Sequence, residues 1–235
     1  MSDIVLYKIA QAEETLKDKF KSIDDIALYN QKKVLEAFRE HKVATRHFAG
    51  TTGYGYDDIG RDTLCRIYAR VLGAEEAIVS PNIVSGTHAL TIALFSALRP
   101  GDEAVSVTGE PYDTLNDVIY GKNNGSLADY KIRFTVFDQS KKEDYLNYIQ
   151  KRQPKAVFIQ RSRGYTSRNA LSIDEIERII KEIKNISADS ILIVDNCYGE
   201  FTEKREPTEV GADLIAGSLI KNAGGGLAPT GGYIA

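Results

Sequence analysis

The feature that most limits the folds open to this chain is a regular alternation of short apolar runs with longer amphipathic segments. Seven runs have strand length, and helical patterns of ten or more residues separate most of them. The runs are AIVS (77–80), EAVSVT (103–108), KIRFTVF (131–137), KAVFIQ (155–160), SILIVD (190–195), DLIAGS (213–218) and GGYIA (231–235). Strands that alternate with helices build a mainly parallel, helix-covered sheet. The alternation therefore predicts an α/β fold with a mostly parallel seven-stranded sheet.

The N-terminal part has a different pattern. Its apolar residues, Leu16 and Phe20 among them, recur at loosely helical spacing, which predicts helix over the first 43 residues. The next segment, ATRHFAGTTGYGYDDIG, contains four glycines and favours a loop with no regular structure. Helical periodicity then resumes and stops at Gly73. We therefore predict an N-terminal helical segment and loop at 1–58 and one large α/β domain at 59–235.

Composition excludes several classes of protein. The 235 residues are 43% hydrophobic and 27% charged, which is ordinary for a globular protein and excludes disorder, coiled coil and collagen. The net charge of −3 gives no footprint for binding nucleic acid or an acidic membrane. No apolar run is long enough to span a bilayer, and the N-terminus does not resemble a signal peptide. Two distant cysteines, Cys65 and Cys197, predict neither a metal site nor a disulfide, so we expect a cytoplasmic protein.

The end of the sequence is unusual for an α/β protein. The chain stops inside the apolar run GGYIA, without a terminal helix or a polar tail. A central strand is rarely the last element, because the sheet face above it would be uncovered. We therefore expect a truncated chain that lacks a C-terminal domain.

Two chemically active residues follow consecutive apolar runs. Asp195 ends the run SILIVD, and open α/β sheets bind ligands at the carboxyl ends of their strands. Lys221 follows DLIAGS and lies between apolar SLI and AGGG, a context that predicts a desolvated, nucleophilic amine with a depressed pKa. Taken singly, the Asp could cap a turn and the Lys could be exposed on a loop. Together they indicate a site.

Two further motifs also lie after predicted strands. In SPNIVSGTHAL, a helix is expected to begin near Ser85, Gly86 and Thr87, where free backbone N–H groups and the helix dipole can bind an anion. Simple capping of the helix by Ser85 or Thr87 explains the same residues. In GEPYDTL, Tyr112 follows a strand and either packs in the core or stacks on a planar heterocycle.

A pyridoxal-phosphate site combines a phosphate-binding helix start, a stacking aromatic ring, a carboxylate and a lysine. The motifs above place these four features in this order at strand ends. The chain resembles fold-type I pyridoxal-phosphate enzymes, and among them the Cys/Met-metabolism group. Its motifs GYGYDDIGRDTL, SGTHAL, GEPYDTL, IVDNCYGEF and SLIKNAGGG resemble the bacterial family labelled aluminium resistance protein, or methionine γ-lyase-like. The resemblance runs from about residue 45 to the end. It implies that 59–235 is the pyridoxal-phosphate-binding large domain of that fold, without its C-terminal small domain.

The resemblance also implies a role for each site residue. Lys221 would bind the cofactor aldehyde and move the α-proton, Asp195 would keep the pyridine nitrogen protonated, and Tyr112 would stack on the ring. Backbone groups at the start of the helix would hold the phosphate with help from a serine. The implied catalytic residues are Lys221 and Tyr112, and the implied cofactor-binding residues are Ser85, Gly86, Thr87, Tyr112, Asp195, Ser218 and Lys221.

Some positions depart from the family pattern. The family supplies a Tyr-x-Arg pair to the phosphate of the neighbouring subunit, but Tyr54, Tyr56 and Arg61 are spaced differently here. The assignment of Tyr56 and Arg61 to that contact is therefore an interpretation. In QRSRGYTSR, Arg161 and Arg163 either bind an anion or face solvent.

The resemblance implies a carbon–sulfur lyase that acts on a sulfur-containing amino acid of the cystathionine or methionine class. The reaction would be α-proton removal followed by β- or γ-elimination, and the enzyme would be a homodimer or homotetramer. Another reaction on the same fold, such as that of an aldolase or transaminase, and an inactive truncated module that binds only cofactor or partner subunits stay open as alternatives. A nucleotide-binding protein is disfavoured, because no strand precedes GYGYDDIG and no GK[ST] motif occurs.

Overall fold

A computed structural model describes residues 2–51, 56 and 58–235. Over these residues the chain forms seven strands and six α-helices. The strands are β1 (Ile78–Ser80), β2 (Glu103–Ser106), β3 (Arg133–Val136), β4 (Ala156–Gln160), β5 (Ile191–Asp195), β6 (Leu214–Ser218) and β7 (Gly232–Ile234). The helices are α1 (Asp3–Glu40), α2 (Ile59–Leu72), α3 (Gly86–Ala97), α4 (Asn116–Tyr120), α5 (Lys142–Arg152) and α6 (Ile173–Ile186). Each apolar run of the sequence analysis contains one of these strands.

The strands form one sheet in the order β1-β7-β6-β5-β4-β2-β3 within the described part of the chain. The strands from β2 to β6 pair in parallel, and β7 runs antiparallel to both of its neighbours, β1 and β6. All five residues of β4 are buried, as expected for a strand that is covered on both faces. The prediction of a mostly parallel, helix-covered α/β sheet is confirmed.

Helices cover the sheet on both faces and create two hydrophobic cores. On one face, α2, α5 and α6 pack against strand residues that include Val105, Val157, Leu192 and Ile215. On the other face, α3 and α4 pack against the alternate residues, among them Phe158. Because successive side chains of a strand point to opposite faces, each buried strand serves both cores.

Local capping residues decide where α2 and α3 begin and end. Asp58 accepts a hydrogen bond from the backbone N–H of Arg61 at 2.9 Å and so starts α2. The helix ends at Gly73, whose φ of 69° lies in the left-handed region that favours glycine. Ser85 caps α3 by accepting from the backbone N–H of His88 at 3.1 Å, which places Gly86 at the first position of the helix.

The N-terminal part is a single long helix, as the sequence analysis predicts, but the loop after it is not wholly irregular. Thr45–Phe48 forms one 3-10 turn, since the backbone N–H of His47 donates to the carbonyl oxygen of Ala44 at 2.9 Å. The side chain of Asn30 on α1 donates to the carbonyl oxygens of Phe201 and Glu203, which ties the helix to the turn after β5. The division into 1–58 and 59–235 stays a prediction. None of the helices in the described residues is long and apolar enough to cross a membrane.

Candidate active site

A cavity of about 900 Å³ lies where β5, β6 and the start of α3 meet. It opens at the carboxyl ends of the parallel strands, which is the general ligand-binding edge of such sheets. The structure brings together at this cavity all of the residues implied as cofactor-binding, namely Ser85, Gly86, Thr87, Tyr112, Asp195, Ser218 and Lys221. Their roles stay predictions, but their common location is a property of the fold.

The first turn of α3 forms one wall of the cavity. A Cβ atom at Gly86 would lie 3.2 Å from Cys197 Sγ and 3.2 Å from Ser218 Cβ, so a larger residue would crowd the turn after β5 and the end of β6. The Thr87 hydroxyl lies 2.6 Å from the hydroxyl of Thr114. The first backbone N–H groups of a helix have no acceptor within the helix. This wall therefore combines free N–H donors with the positive end of the helix dipole.

Asp195 lies at the base of the cavity and is only 3% exposed. Burial raises the pKa of its carboxyl group, while the nearby Cys197 and the Lys221 amine act in the opposite direction. The backbone N–H of Cys197 donates to Asp195 Oδ1 at 3.0 Å. A buried carboxylate of this kind is best stabilised by a cationic, hydrogen-bonding partner.

Lys221 follows β6 and is half-buried, with Nζ 4.2 Å from the centroid of the Tyr198 ring. The local sequence predicts a depressed pKa for this amine, and that prediction is wrong for the chain alone. Burial does lower the pKa of Lys221, but Cys197, Asp195 and Tyr198 together raise it above its ordinary value. Charged and polar neighbours outweigh desolvation, because β5 and β6 are adjacent in the sheet and so Cys197 and Asp195 lie close to the amine.

Tyr112 lines the cavity, its backbone is held by the last residue of β4, and its ring is held by the segment after β4. Its backbone N–H donates to Gln160 Oε1 at 2.8 Å. Its ring stacks on Tyr165 with 5.3 Å between the ring centroids, and the two hydroxyl oxygens lie 2.8 Å apart. The hydrogen bond with Tyr165, more than partial burial, raises the pKa of Tyr112 to about 12. The ring of Tyr112 is therefore held in place, and its hydroxyl group stays protonated at neutral pH.

Two arginines of the segment after β4 have different environments. Arg161 is 2% exposed, and it donates to Asn196 Oδ1 at 2.9 Å and to Glu203 Oε1 at 2.8 Å. The alternative that Arg161 faces solvent is thus wrong, since its guanidinium holds the turn after β5 in place. Arg163 is exposed and lines the cavity.

The residues assigned to a neighbouring subunit do not line the cavity of their own chain. Tyr56 is 85% exposed, and Arg61 forms a salt bridge of 2.9 Å with Asp58. Tyr54 lies outside the described residues. The contact of Tyr56 and Arg61 with the phosphate of a neighbouring subunit stays a prediction.

Other cavity residues were not found from the sequence. Cys197 and Tyr198 are the second and third residues after Asp195, so their position in IVDNCYGEF was the available signal. The sequence around Thr114 and Tyr165 does not indicate a cavity position for them. Their place at the cavity follows from their hydrogen bonds to Thr87 and Tyr112, which are distant in sequence. Among the residues that the structure describes, no group of three His, Cys, Asp or Glu side chains could hold a metal ion.

Comparison with known proteins agrees with the predicted fold of a fold-type I pyridoxal-phosphate enzyme. The pyridoxal-5′-phosphate dependent protein YhfS of Escherichia coli superposes with a TM-score of 0.69 at 16% identity, over 89% of this chain and 54% of that chain. The methionine gamma-lyase family matches residues 5–235. The chain belongs to the methionine gamma-lyase family.

Close relatives have similar sequences over almost the whole chain. The uncharacterized protein YnbB of Bacillus subtilis is 51% identical over 231 residues, which are 95% of this chain and 55% of YnbB. A crystal structure of a carbon-sulfur lyase involved in aluminum resistance from Clostridium novyi NT is 49% identical with a TM-score of 0.94. The match covers 100% of this chain and 58% of the Clostridium novyi chain. The resemblance to the aluminium resistance group is confirmed, and this chain spans less than two thirds of these relatives.

Proposed function

We propose that this chain carries the cofactor-binding part of a pyridoxal-phosphate-dependent carbon–sulfur lyase that acts on a sulfur-containing amino acid. The observation that carries the proposal is the meeting of Asp195 and Lys221, from the adjacent strands β5 and β6, in one cavity with the start of α3. Membership of the methionine gamma-lyase family supports the reaction class. The cystathionine or methionine class of substrate is the finer part of the proposal.

The residues present fit pyridoxal phosphate in three respects. The N–H groups at the start of α3 suit a phosphate, and the absence of a side chain at Gly86 lets this helix start lie close to Cys197 and Ser218. The buried Asp195 carboxylate suits a protonated pyridine nitrogen. The Lys221 amine lines the same cavity and can reach an aldehyde held there.

When bound, pyridoxal phosphate supplies an aldehyde for an amine and a ring that withdraws electrons from the substrate carbon. Asp195 would hold the proton on the ring nitrogen, and the start of α3 would orient the phosphate. Lys221 Nζ would take the proton from the substrate α-carbon. The carbon–sulfur bond would then break, the sulfur would leave with a proton as a thiol, and water would release ammonia and a 2-oxo acid.

The cofactor part of the proposal is tested by trapping. The chain is incubated with pyridoxal phosphate and borohydride, and mass spectrometry of its peptides locates the reduced adduct. We expect the adduct on Lys221 and a yellow absorption band before reduction, both of which Lys221→Ala abolishes. Lys17→Ala removes a lysine whose side chain is 72% exposed on α1, and serves as the control that keeps both signals. An adduct spread over surface lysines with no yellow band would contradict the proposal.

The lyase part is tested by products. Cystathionine, methionine and alanine are offered to the cofactor-loaded chain and to the matched Lys221→Ala variant. Release of a thiol, ammonia and a 2-oxo acid from a sulfur substrate, and not from alanine, is the expected result. Transfer of the amino group or cleavage at the α-carbon in place of thiol release would favour a transaminase or an aldolase. A folded, loaded chain with no turnover would favour the binding-module alternative.

The remaining parts of the proposal concern the assembly and the compartment. We propose a homodimer or homotetramer with a small amino-acid substrate, in the cytoplasm, and no nucleic-acid or membrane partner. Family membership supports the oligomer, and the net charge of −3 argues against a nucleic-acid partner. Sedimentation of the purified chain measures its mass directly, and a monomer at micromolar concentration would contradict the oligomer.

A further inference from the structure

The turn after β5 carries an unusual backbone conformation at the cavity. Tyr198 has a φ of 67°, in the left-handed region that residues with a Cβ rarely adopt. A glycine stands at the next position, Gly199, yet the tyrosine occupies the disfavoured conformation. Outliers of this kind persist where the surroundings require them, and they cluster at functional sites.

The ring of Tyr198 lies against the reactive lysine. Lys221 Nζ is 4.2 Å from the ring centroid, within the range of about 6 Å for a cation–π interaction. Both residues line the cavity, and the tyrosine is 63% exposed. The ring therefore contributes little to the hydrophobic core, and its contact with the amine is its most specific interaction.

The two turns that carry these residues are joined. Asn222, directly after Lys221, donates through Nδ2 to the carbonyl oxygen of Tyr198 at 3.1 Å and to that of Glu200 at 3.0 Å. The backbone N–H of Gly199 donates to the carbonyl oxygen of Asn196 at 2.8 Å. These bonds fix the backbone under the ring, so the approach of ring and amine is built into the fold.

We propose that Tyr198 is a positioning residue that holds the cationic Lys221 amine in the cavity through the face of its ring. The proposal rests on the proposed function, in which Lys221 is the reactive amine. Asp195 and Cys197 also face this amine, and they act on its charge together with Tyr198. Unlike the smaller side chains of Asp195 and Cys197, the Tyr198 ring presents a broad apolar face, which limits where Lys221 Nζ can move. It favours the charged amine over the neutral amine.

The experiment measures the protonation of Lys221 in the chain without cofactor, so its outcome does not depend on pyridoxal phosphate. Trace acetylation of the folded chain at a series of pH values, read by mass spectrometry of each peptide, gives a rate profile for every lysine. Tyr198→Leu removes the π-face, and Tyr198→Phe retains it. Lys204, which lies 5.6 Å over the ring of Tyr29, is an internal reference that these changes leave in place.

We expect the Lys221 profile to move to lower pH in Tyr198→Leu, with a roughly threefold to tenfold higher rate near neutral pH, and to move much less in Tyr198→Phe, which keeps the ring face and loses only the hydroxyl. Tyr198→Gly should move the Lys221 profile in the same way while raising or maintaining the thermal midpoint, because glycine adopts the left-handed conformation without strain. A rise in the Lys221 acetylation rate at every pH, with no change in the pH midpoint of the profile, would indicate only that the reagent reaches the amine more easily. That result would overturn the proposal. So would identical profiles in the Leu, Gly and unchanged proteins.

Discussion

Glu103 and Asp195 are both buried carboxylates, but they lie at opposite ends of the strands and have different surroundings. At the amino end of β2, burial by itself would raise the pKa of Glu103, yet hydrogen bonds from Tyr148 and Thr135 and nearby arginines bring it below its usual value. At the carboxyl end of β5, burial dominates and the pKa of Asp195 is raised. The charge of Glu103 is thus balanced within the chain, whereas the burial of Asp195 opposes its charged form. The cavity lies at the carboxyl end, where the buried carboxyl group has the raised pKa.

Substitution of Asp195 is expected to have the largest effect, and it tests the contrast between Asp195 and Glu103. Asp195→Asn keeps an acceptor for the N–H of Cys197 but removes the charge that would pair with the pyridine nitrogen. We expect the dissociation constant for pyridoxal phosphate to rise by about 100-fold, the usual cost of truncating one partner of a buried charge pair. The free energy of unfolding without cofactor should stay equal or rise, because a buried charge is lost. Absorbance titration and urea unfolding measure the two quantities.

The matched control for that substitution is Asp189→Asn. Asp189 is exposed and precedes the same strand, β5, so its change should alter neither cofactor affinity nor stability. A marked loss of stability in Asp195→Asn would break the comparison, since it would make Asp195 a structural residue like Glu103.

The second prediction concerns Glu200, a buried carboxylate in the turn after β5, which is 1% exposed. Burial raises the pKa of Glu200 to about 7, and Glu206 and Asp195 add to the effect, although the Tyr233 hydroxyl donates to Oε1 at 2.8 Å. A carboxyl group with a raised folded-state pKa binds more protons folded than unfolded between its ordinary pKa and about 7. The free energy of unfolding should therefore fall as the pH rises through this window, by about 3 kcal/mol.

Glu200→Gln should flatten this pH dependence, because its amide does not titrate. Urea unfolding from pH 5 to pH 8 measures it, and Glu143→Gln, at an exposed position on α5, is the control. An equal slope in the Glu200→Gln and unchanged proteins would place the titrating group elsewhere.

The smallest of the three effects is expected at Glu103. Its carboxylate accepts from the Tyr148 hydroxyl at 2.6 Å and pairs with Arg152 at 3.3 Å and Arg133 at 3.6 Å. Glu103→Gln keeps an acceptor for the tyrosine and loses the ionic contacts with two half-exposed arginines. We expect a loss of about 1 to 2 kcal/mol in the free energy of unfolding at neutral pH.

The effect of pH has the opposite sign to that at Glu200. Because the folded-state pKa of Glu103 is lowered, its stabilisation is present at neutral pH and is lost as the pH falls below its ordinary pKa. Unfolding midpoints of Glu103→Gln and the unchanged chain should therefore converge in acid. A difference that persists at acid pH would show that the carboxylate charge is not the stabilising element, and cofactor affinity should not change at any pH.

The sequence predicted much of the fold because the signals involved are local. Apolar runs of strand length and helical periodicity depend on neighbouring residues, and each run became a strand. Gly73 marked the end of α2 because a left-handed cap favours glycine. Asp195 and Lys221 could be named because Asp195 ends β5, Lys221 comes three residues after β6, and parallel strands share one carboxyl edge.

The tertiary structure decided what depends on residues that are distant in sequence. The order β1-β7-β6-β5-β4-β2-β3 brought the ends of β5 and β6 together, and so set the direction of the Lys221 pKa, which local context had suggested wrongly. It likewise paired Tyr165 with Tyr112 and placed the Tyr198 ring on the amine. The alternation of strands and helices was therefore fixed by the sequence alone, through local periodicity. The charge balance of the cavity arose only in the fold, because electrostatic interactions depend on distance in space and on burial.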